Sequence, residues 1–152
     1  VPDEVIIGIM GERLAEDDCK NGYILDGMPR TIAQAEALES AGIDIDVALS
    51  IEISDAEIEA RMTGRRTCLA CGATYHVVSN PPKTEGVCDA CGAELTIRKD
   101  DQPETVRNRL AVYHKETEPL KDFYKTRGKL KTVDNQPTIA DTTAVVFKAL
   151  GI

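Results

Sequence analysis

Residues 68–92 read CLACGATYHVVSNPPKTEGVCDACG and contain two Cys-x-x-Cys-Gly motifs. Sixteen residues lie between the two pairs of cysteines. Four cysteines at this spacing are typical of a zinc site, because thiolates are preferred zinc ligands. A zinc ion with four thiolate ligands has no open coordination position, so we predict a structural metal. The predicted ligands are Cys68, Cys71, Cys88 and Cys91.

Charged side chains flank this segment on both sides. Arg65–Arg66 precedes the first cysteine pair, and Arg98–Asp101 follows the second. An insert that is held together by a metal and flanked by cationic side chains suggests a lid that closes over an anion. A free-standing zinc finger would not require these flanking charges. We therefore predict a zinc-binding lid at residues 66–97 and a core α/β domain formed by residues 1–65 and 98–152.

Composition limits the classes of function. The 152 residues are 42% hydrophobic, which is enough for the core of one domain, and the net charge is −8. An acidic balance disfavours nucleic acid as a partner, since non-specific nucleic-acid binders are usually basic. The sequence contains no apolar run long enough to span a membrane and no recognisable signal peptide. Cysteines in metal spacing predict a reducing, cytoplasmic compartment.

Hydrophobic periodicity and capping signals predict helices that alternate with strands. Thr31 with Gln34, and Ser54 with Glu57, are capping boxes that open two of the helices. Pro119 should interrupt a long helix, because proline removes an internal hydrogen bond. The alternation implies parallel, right-handed crossovers and an α/β sheet. The predicted order is helix Pro2–Leu14, buried strand Tyr23–Leu25, helix from Thr31 to about Ser40, strand Val47–Ile53, helix from Ser54 to Gly64–Arg65, the insert, a long helix from Asp101, strand Leu130–Val133, and a helix from Pro137 to Gly151.

The segment Asp26–Arg30 follows the apolar residues Ile24 and Leu25. Ligands of open α/β sheets bind at the carboxyl ends of strands, where Asp26 could hold Mg²⁺ directly or through water. Gly27 lets the backbone approach a ligand closely, and the planar fork of Arg30 suits a phosphate. The alternative is an ordinary strand–turn–helix connection with a solvated arginine.

Arginines recur at positions that favour an anion. Arg61 and Arg65 are four residues apart, so we expect them on one helical face beside the core. On the long helix predicted from Asp101, Arg109 lies at the edge of the apolar stripe formed by Val106, Leu110 and Tyr113, whereas Arg107 points away from it. With Arg98 and Arg30 they form a set of five, which suits phosphoryl transfer because that reaction needs positioning and positive charge. The alternative is a solvated charged face.

Together these motifs resemble adenylate kinase of the long, zinc-lid type found in bacteria. The similarity extends from Val1 to Ile152, with matching order and spacing. It implies a nucleoside-monophosphate-kinase fold and reversible phosphoryl transfer from MgATP to AMP, giving two ADP. The resembling segments are Asp26–Gln34, Gly64–Arg66, the four-cysteine lid with Tyr75–His76 and Asn80–Pro82, and Arg98–Asp101 leading to Arg107–Arg109.

The resemblance also implies roles for individual residues. Val1, at the end of an AMP-binding segment at residues 1–5, would contact AMP through its backbone, and Gln34 would bind the adenine of AMP. The AMP phosphate would be cradled by Gly27, Met28, Pro29 and Arg30. ATP would contact Arg61, Arg65, Thr74, Tyr75 and the backbone of Gln136. Arg98 and Arg109 would clamp the transferring group, Asp26 would organise Mg²⁺, and Asp100 and Asp101 would belong to the lid hinge.

Members of this family begin with a strand and a Gly-x-x-Gly-x-Gly-Lys phosphate loop. The 152 residues contain no such motif and begin at Val1 instead of Met. We therefore expect a fold truncated at the N-terminus, a chain that is a fragment or a processed form, and impaired activity for the chain as given. The complete protein is expected to be a monomer. Two alternatives remain at this point: a non-catalytic zinc-ribbon binding module, and a kinase for another nucleoside monophosphate.

Overall fold

The computed structural model describes residues 2–152 and has a mixed α/β architecture. Val1, a predicted AMP contact, lies outside the described residues. The elements in chain order are α1 (Asp3–Leu14), a 3₁₀ turn (Asp17–Cys19), α2 (Ile32–Ser40), β1 (Ala48–Glu52), α3 (Asp55–Gly64), β2 (Arg65–Cys68), β3 (Thr74–His76), β4 (Leu95–Thr96), a 3₁₀ turn (Lys99–Asp101), α4 (Pro103–Val112), a π-helical segment (Tyr113–Thr117), α5 (Leu120–Thr126), β5 (Leu130–Asp134) and α6 (Ile139–Leu150).

The first of two compact units combines the residues up to Glu52 with Val112–Ile152. Its β1 and β5 strands form a parallel pair in which Ala48 lies opposite Leu130. Helix α6 packs on β5, and α5 packs against both α2 and β5. The buried core of this unit joins α2 and α5 and consists of Ala35, Leu120, Phe123 and Tyr124. The predicted α/β class with a parallel sheet and flanking helices is therefore confirmed.

The second unit, Ile53–Ala111, contains a small antiparallel sheet. The strand order is β3–β2–β4, with Arg65 opposite His76 and Cys68 opposite Leu95. Its buried core consists of Cys68, Cys88 and Leu95, with Tyr75 packed against them. Two of the four cysteines, Cys68 and Cys88, thus belong to the core of this sheet, so a metal bound to them would also hold the strands together.

The capping box of Ser54 with Glu57 is confirmed, because both reciprocal hydrogen bonds are present. Only half of the predicted box at Thr31 forms: the Thr31 hydroxyl accepts from the backbone N–H of Gln34, but the Gln34 side chain accepts from the N–H of Arg30 instead of Thr31. Gly151 ends α6 with a φ of 81°, a left-handed conformation that glycine adopts at little cost.

Two sequence predictions are wrong. The predicted buried strand Tyr23–Leu25 is irregular, and Ile24 is 93% exposed. A strand needs a neighbouring ladder, and the parallel sheet formed by the described residues contains only β1 and β5. Arg65 does not share a helical face with Arg61, because α3 ends at Gly64 and the backbone of Arg65 is extended.

No helix among residues 2–152 is both long enough and apolar enough to cross a membrane.

Candidate active site and metal cluster

The four predicted cysteine ligands converge. One Sγ atom from each of Cys68, Cys71, Cys88 and Cys91 lies within 4.8 Å of the other three. Across the two motifs, Cys68 and Cys91 have Sγ atoms 3.5 Å apart, and those of Cys71 and Cys88 are 3.6 Å apart. Four soft sulfur donors at one point fit a tetrahedral thiolate metal site.

Each cysteine pair lies in the same type of tight turn. Gly72 donates its N–H to the carbonyl of Cys68, and Gly92 donates to Cys88 in the same way. The N–H groups of Cys68 and Cys88 in turn bind the carbonyls of Ala73 and Ala93. The two turns therefore present their sulfurs in equivalent geometry, as the repeated motif predicts.

The thiols cannot all ionise without a compensating cation. A hydrogen bond from Tyr75 lowers the pKa of the Cys88 thiol to about 6. The pKa of Cys91 is raised to about 12, because contacts with Cys68, Cys71 and Cys88 outweigh a favourable backbone hydrogen bond from Ala93. Opposed pKa values at adjacent thiols are the signature of like charges at one site. A bound divalent cation would remove that conflict.

A second cluster in the same unit centres on Asp101. This carboxylate is fully buried, at 0% exposure, and it accepts two hydrogen bonds from Arg65. The Nε–Oδ2 distance is 2.8 Å and the Nη2–Oδ1 distance is 2.5 Å. The pKa of Asp101 is lowered, first by this hydrogen bond and further by the charges of Arg65, Arg98 and Arg109. Arg65 is thus held by a buried carboxylate, and the charges of two more of the five predicted arginines act on that carboxylate.

Arg107, Arg98 and Arg61 of this unit have different surroundings. Arg107, predicted to point away, is exposed and pairs with Glu59 at 2.7 Å. Arg98 pairs with Asp100 at 3.1 Å. Arg61 lies with Gly64 and His76 along a groove of about 510 Å³. This groove brings the predicted ATP contact Arg61 beside the segment from His76 to Ser79.

His76 lines that groove, and the sequence suggested only a surface or lid hydrogen bond for it. Its Nδ1 accepts the backbone N–H groups of Val78 and Ser79, both at 3.1 Å, so Nε2 carries the proton and donates to Ala60 at 3.3 Å. A Cβ added to Gly64 would lie 2.4 Å from His76 Nε2. The glycine of the Gly64–Arg66 motif was the one sequence feature that could have indicated this close approach.

The Asp26–Arg30 segment belongs to the other unit and forms a tight loop. Gly27 has a φ of 78°, and the carbonyl of Gly27 accepts a hydrogen bond from Arg30 Nε at 2.7 Å. The Met28–Pro29 peptide bond is cis. Gln34, predicted to bind adenine, accepts from the Arg30 backbone N–H at 2.7 Å and donates to Asp3 at 2.9 Å. Arg30 and Gln34 are thus held together, while Asp26 is exposed at the start of the loop.

Two predicted ATP contacts lie in separate units. The backbone N–H of Gln136 donates to Thr142 at 3.0 Å, and the Gln136 carbonyl accepts from Asn135 at 3.0 Å. Thr74 is exposed and pairs with Thr67 in the small sheet.

Thr117 was not among the predicted site residues, yet its hydroxyl donates a hydrogen bond to the carbonyl of Arg30 at 2.8 Å.

Comparison with known proteins identifies the class. Residues 1–129 match the family described as adenylate kinase. An adenylate kinase of Caldicellulosiruptor saccharolyticus is 56% identical over 156 aligned residues, which cover 100% of this chain and 73% of the relative. Adenylate kinases of Lachnospira eligens and Staphylococcus aureus are 52% and 51% identical and are covered to 73% and 72%. These relatives are nucleoside monophosphate kinases.

The chain belongs to the adenylate kinase family. Its α/β fold with a parallel sheet and its four-cysteine cluster agree with that assignment.

Proposed function

We propose that the protein catalyses reversible phosphoryl transfer from MgATP to AMP, giving two ADP. The observation that carries this proposal is the pair of hydrogen bonds from Arg65 to the buried carboxylate of Asp101, on which the charges of Arg98 and Arg109 also act. Phosphoryl transfer needs fixed positive charge around the moving group more than it needs covalent chemistry from the protein. A buried carboxylate fixes that charge before substrate arrives, because it orients the guanidinium of Arg65.

The proposed catalytic arginines are Arg30, Arg65, Arg98 and Arg109. Arg65 reaches the ATP phosphates, and Arg98 and Arg109 bind the AMP phosphate and the transferring phosphoryl group. Five N–H donors in a planar fork suit the non-bridging oxygens of that group. Because each guanidinium keeps its charge at neutral pH, no proton transfer from an arginine is needed.

AMP binding is assigned to the loop that holds Arg30 beside Gln34. Gly27, Met28, Pro29 and Arg30 cradle the AMP phosphate, and Gln34 binds the adenine. The left-handed Gly27 leaves room for close approach by a phosphate. Asp26, exposed at the start of this loop, organises the magnesium of the MgATP substrate. Val1 is proposed as a further AMP contact.

ATP binding is assigned to Arg61, Thr74 and Tyr75, and to the backbone of Gln136. The groove that Arg61 shares with His76 offers apolar surface at Val77 and Val78 for a nucleotide base. We propose that Cys68, Cys71, Cys88 and Cys91 bind a structural zinc ion. The zinc-binding lid is proposed to span residues 66–97, and the core domain to consist of residues 1–65 and 98–152. When bound, zinc supplies a four-thiolate cross-link that orders the small sheet.

We further propose that the complete protein is a monomer and that it acts in the cytoplasm. Its proposed partners are ATP, AMP and ADP, and no nucleic acid is among them. The 152 residues contain no Gly-x-x-Gly-x-Gly-Lys motif, so we propose low activity for these residues alone. An assay of ADP formation by the chain and by the complete natural protein tests this. Equal rates would contradict the proposed impairment.

The catalytic proposal is tested in the complete protein with Arg109→Met and its matched control Arg107→Met. Losing a transition-state donor should lower kcat about 10²-fold or more. The exposed Arg107, engaged with Glu59, should change the rate by less than about twofold, as surface substitutions usually do. AMP, CMP, UMP and GMP are compared as acceptors. A preference for another monophosphate would replace the acceptor assignment, and nucleic-acid binding without kinase activity would overturn the proposal.

A further inference from the structure

The two cysteine turns form an internal repeat of eight residues. Cys68–Tyr75 reads CLACGATY, and Cys88–Leu95 reads CDACGAEL. The halves differ at their second, seventh and eighth positions. Two of these differences, Asp89 in place of Leu69 and Tyr75 in place of Leu95, meet in the structure.

Tyr75 crosses from its own half of the repeat to the other. Its hydroxyl oxygen accepts the backbone N–H of Asp89 at 2.9 Å and lies 3.5 Å from Cys88 Sγ. Because the oxygen already accepts from Asp89, its own hydrogen is available for the sulfur. A metal-bound cysteine is a thiolate and has no proton to offer, so the hydroxyl must be the donor to Cys88.

The partner position carries no such group. Leu95 lies where Tyr75 would fall if the halves were superposed, and its buried side chain packs in the core of the cluster. The arrangement is therefore one-sided, because the repeat equivalent of Tyr75 has no hydroxyl to offer to Cys68.

Asp89 extends the connection. Its carboxylate accepts the backbone N–H of Lys83 at 3.0 Å, while its own N–H is used by Tyr75. Tyr75 belongs to β3, where it lies opposite Arg66, the neighbour of Arg65. One hydroxyl thus joins a metal ligand, the loop before the second turn and the strand paired with the arginines.

We propose that Tyr75 is a positioning residue of the metal site, whose hydroxyl holds Cys88 in place for the metal through a hydrogen bond to its sulfur. This inference rests on the proposed zinc site. Groups that hydrogen-bond to metal ligands fix their orientation, and losing one typically costs about 10–100-fold in metal affinity.

The test is zinc affinity of the complete protein, measured by competition with a chromophoric chelator. Tyr75→Phe removes the hydroxyl and keeps the ring, and affinity should fall about tenfold or more. Tyr23→Phe is the matched control, since that hydroxyl donates to the Asp44 carbonyl at 2.6 Å and belongs to a different unit from the four cysteines of the cluster.

The outcomes separate the two proposals. If the parent protein binds no zinc, the metal site itself fails. If the parent binds zinc and Tyr75→Phe binds within about twofold of it, the role of Tyr75 fails alone, because a hydrogen bond to a ligand should cost more.

Amide exchange in the zinc-loaded parent decides the matter should Tyr75→Phe not fold. We expect slow exchange at the Asp89 amide, because Tyr75 accepts its hydrogen. Exchange at the rate of an unprotected amide would overturn the proposal.

Discussion

Arg65 and Asp101 are separated by 36 positions, yet the guanidinium of one meets the carboxylate of the other through two hydrogen bonds. Asp101 is completely buried, while the Arg65 side chain is 32% exposed. The pair therefore leaves part of the arginine accessible and hides the carboxylate. In the proposed function, Asp101 is a positioning residue that orients Arg65 and does not itself contact substrate.

Asp101→Asn is expected to destabilise the protein by about 1–3 kcal/mol, less than a fully buried pair would cost because Arg65 is partly solvated. The folded pKa of Asp101 lies below its ordinary 3.8. Its contribution is therefore present above about pH 4 and is lost as the pH falls further. Urea unfolding between pH 6 and about pH 3 should show the parent and variant converging at the acid end. A constant difference across that range would contradict this account.

Gly64→Ala is expected to lower stability by about 1–3 kcal/mol, because the new methyl group would overlap the ring of His76. The ring is held by Val78 and Ser79, so it cannot simply move aside. Gly11→Ala is the matched control. Gly11 lies inside α1 with nothing within 4 Å of an added Cβ, and alanine should stabilise that helix by about 0.5–1 kcal/mol. Thermal unfolding of both variants checks the opposite signs, and equal shifts would refute the close contact.

Thr117→Val should weaken AMP binding by about fivefold through loss of the hydrogen bond to the Arg30 carbonyl, worth about 1 kcal/mol. The loop from Gly27 to Arg30 would lose one of its supports, while the arginines near Asp101 would be unchanged. Steady-state kinetics of the complete protein should show a higher KM for AMP and an unchanged KM for ATP. Thr117→Ser keeps the hydroxyl and should behave as the parent; a similar defect in both variants would point to packing instead.

Removal of the metal should melt the small sheet. Zinc binding to four thiolates contributes apparent free energies of about 10–16 kcal/mol in small zinc peptides. With chelator, amide protection should be lost at Cys68 and Cys88, whose N–H groups close the two turns, and retained along β1 and β5. Cys71→Ser should no longer retain zinc, whereas Cys19→Ser, outside the cluster, should retain it. Zinc retained by Cys71→Ser would contradict a four-thiolate site.

Local sequence signals predicted the helix caps and the cysteine cluster because each depends on residues close in the chain or on one ligand chemistry. The Thr31 and Ser54 caps and the glycine at 151 are of this kind. Pro119 also behaves as expected: α4 ends at Val112, a π-helical segment follows, and Pro119 caps α5.

Properties that depend on partners distant in sequence were harder to predict. Residues 23–25 have the apolar character of a strand, but pairing depends on a neighbour. Helical spacing suggested that Arg61 and Arg65 share a face, whereas the chain becomes extended at Arg65 to pair with His76. The role of Asp101 in holding Arg65 could not be read from either residue, because nothing local marks a contact across 36 positions. The substrate-contact assignments remain predictions.

Strand β2 is four residues long, with Arg65 at one end and Cys68, a proposed metal ligand, at the other. Alternation along a strand puts Arg65 and Thr67 on one face and Arg66 and Cys68 on the other. Inserting or deleting one residue here would turn either the arginine or the cysteine to the wrong face. The number of residues between Arg65 and Cys68 is therefore constrained by strand geometry in addition to the side chains themselves.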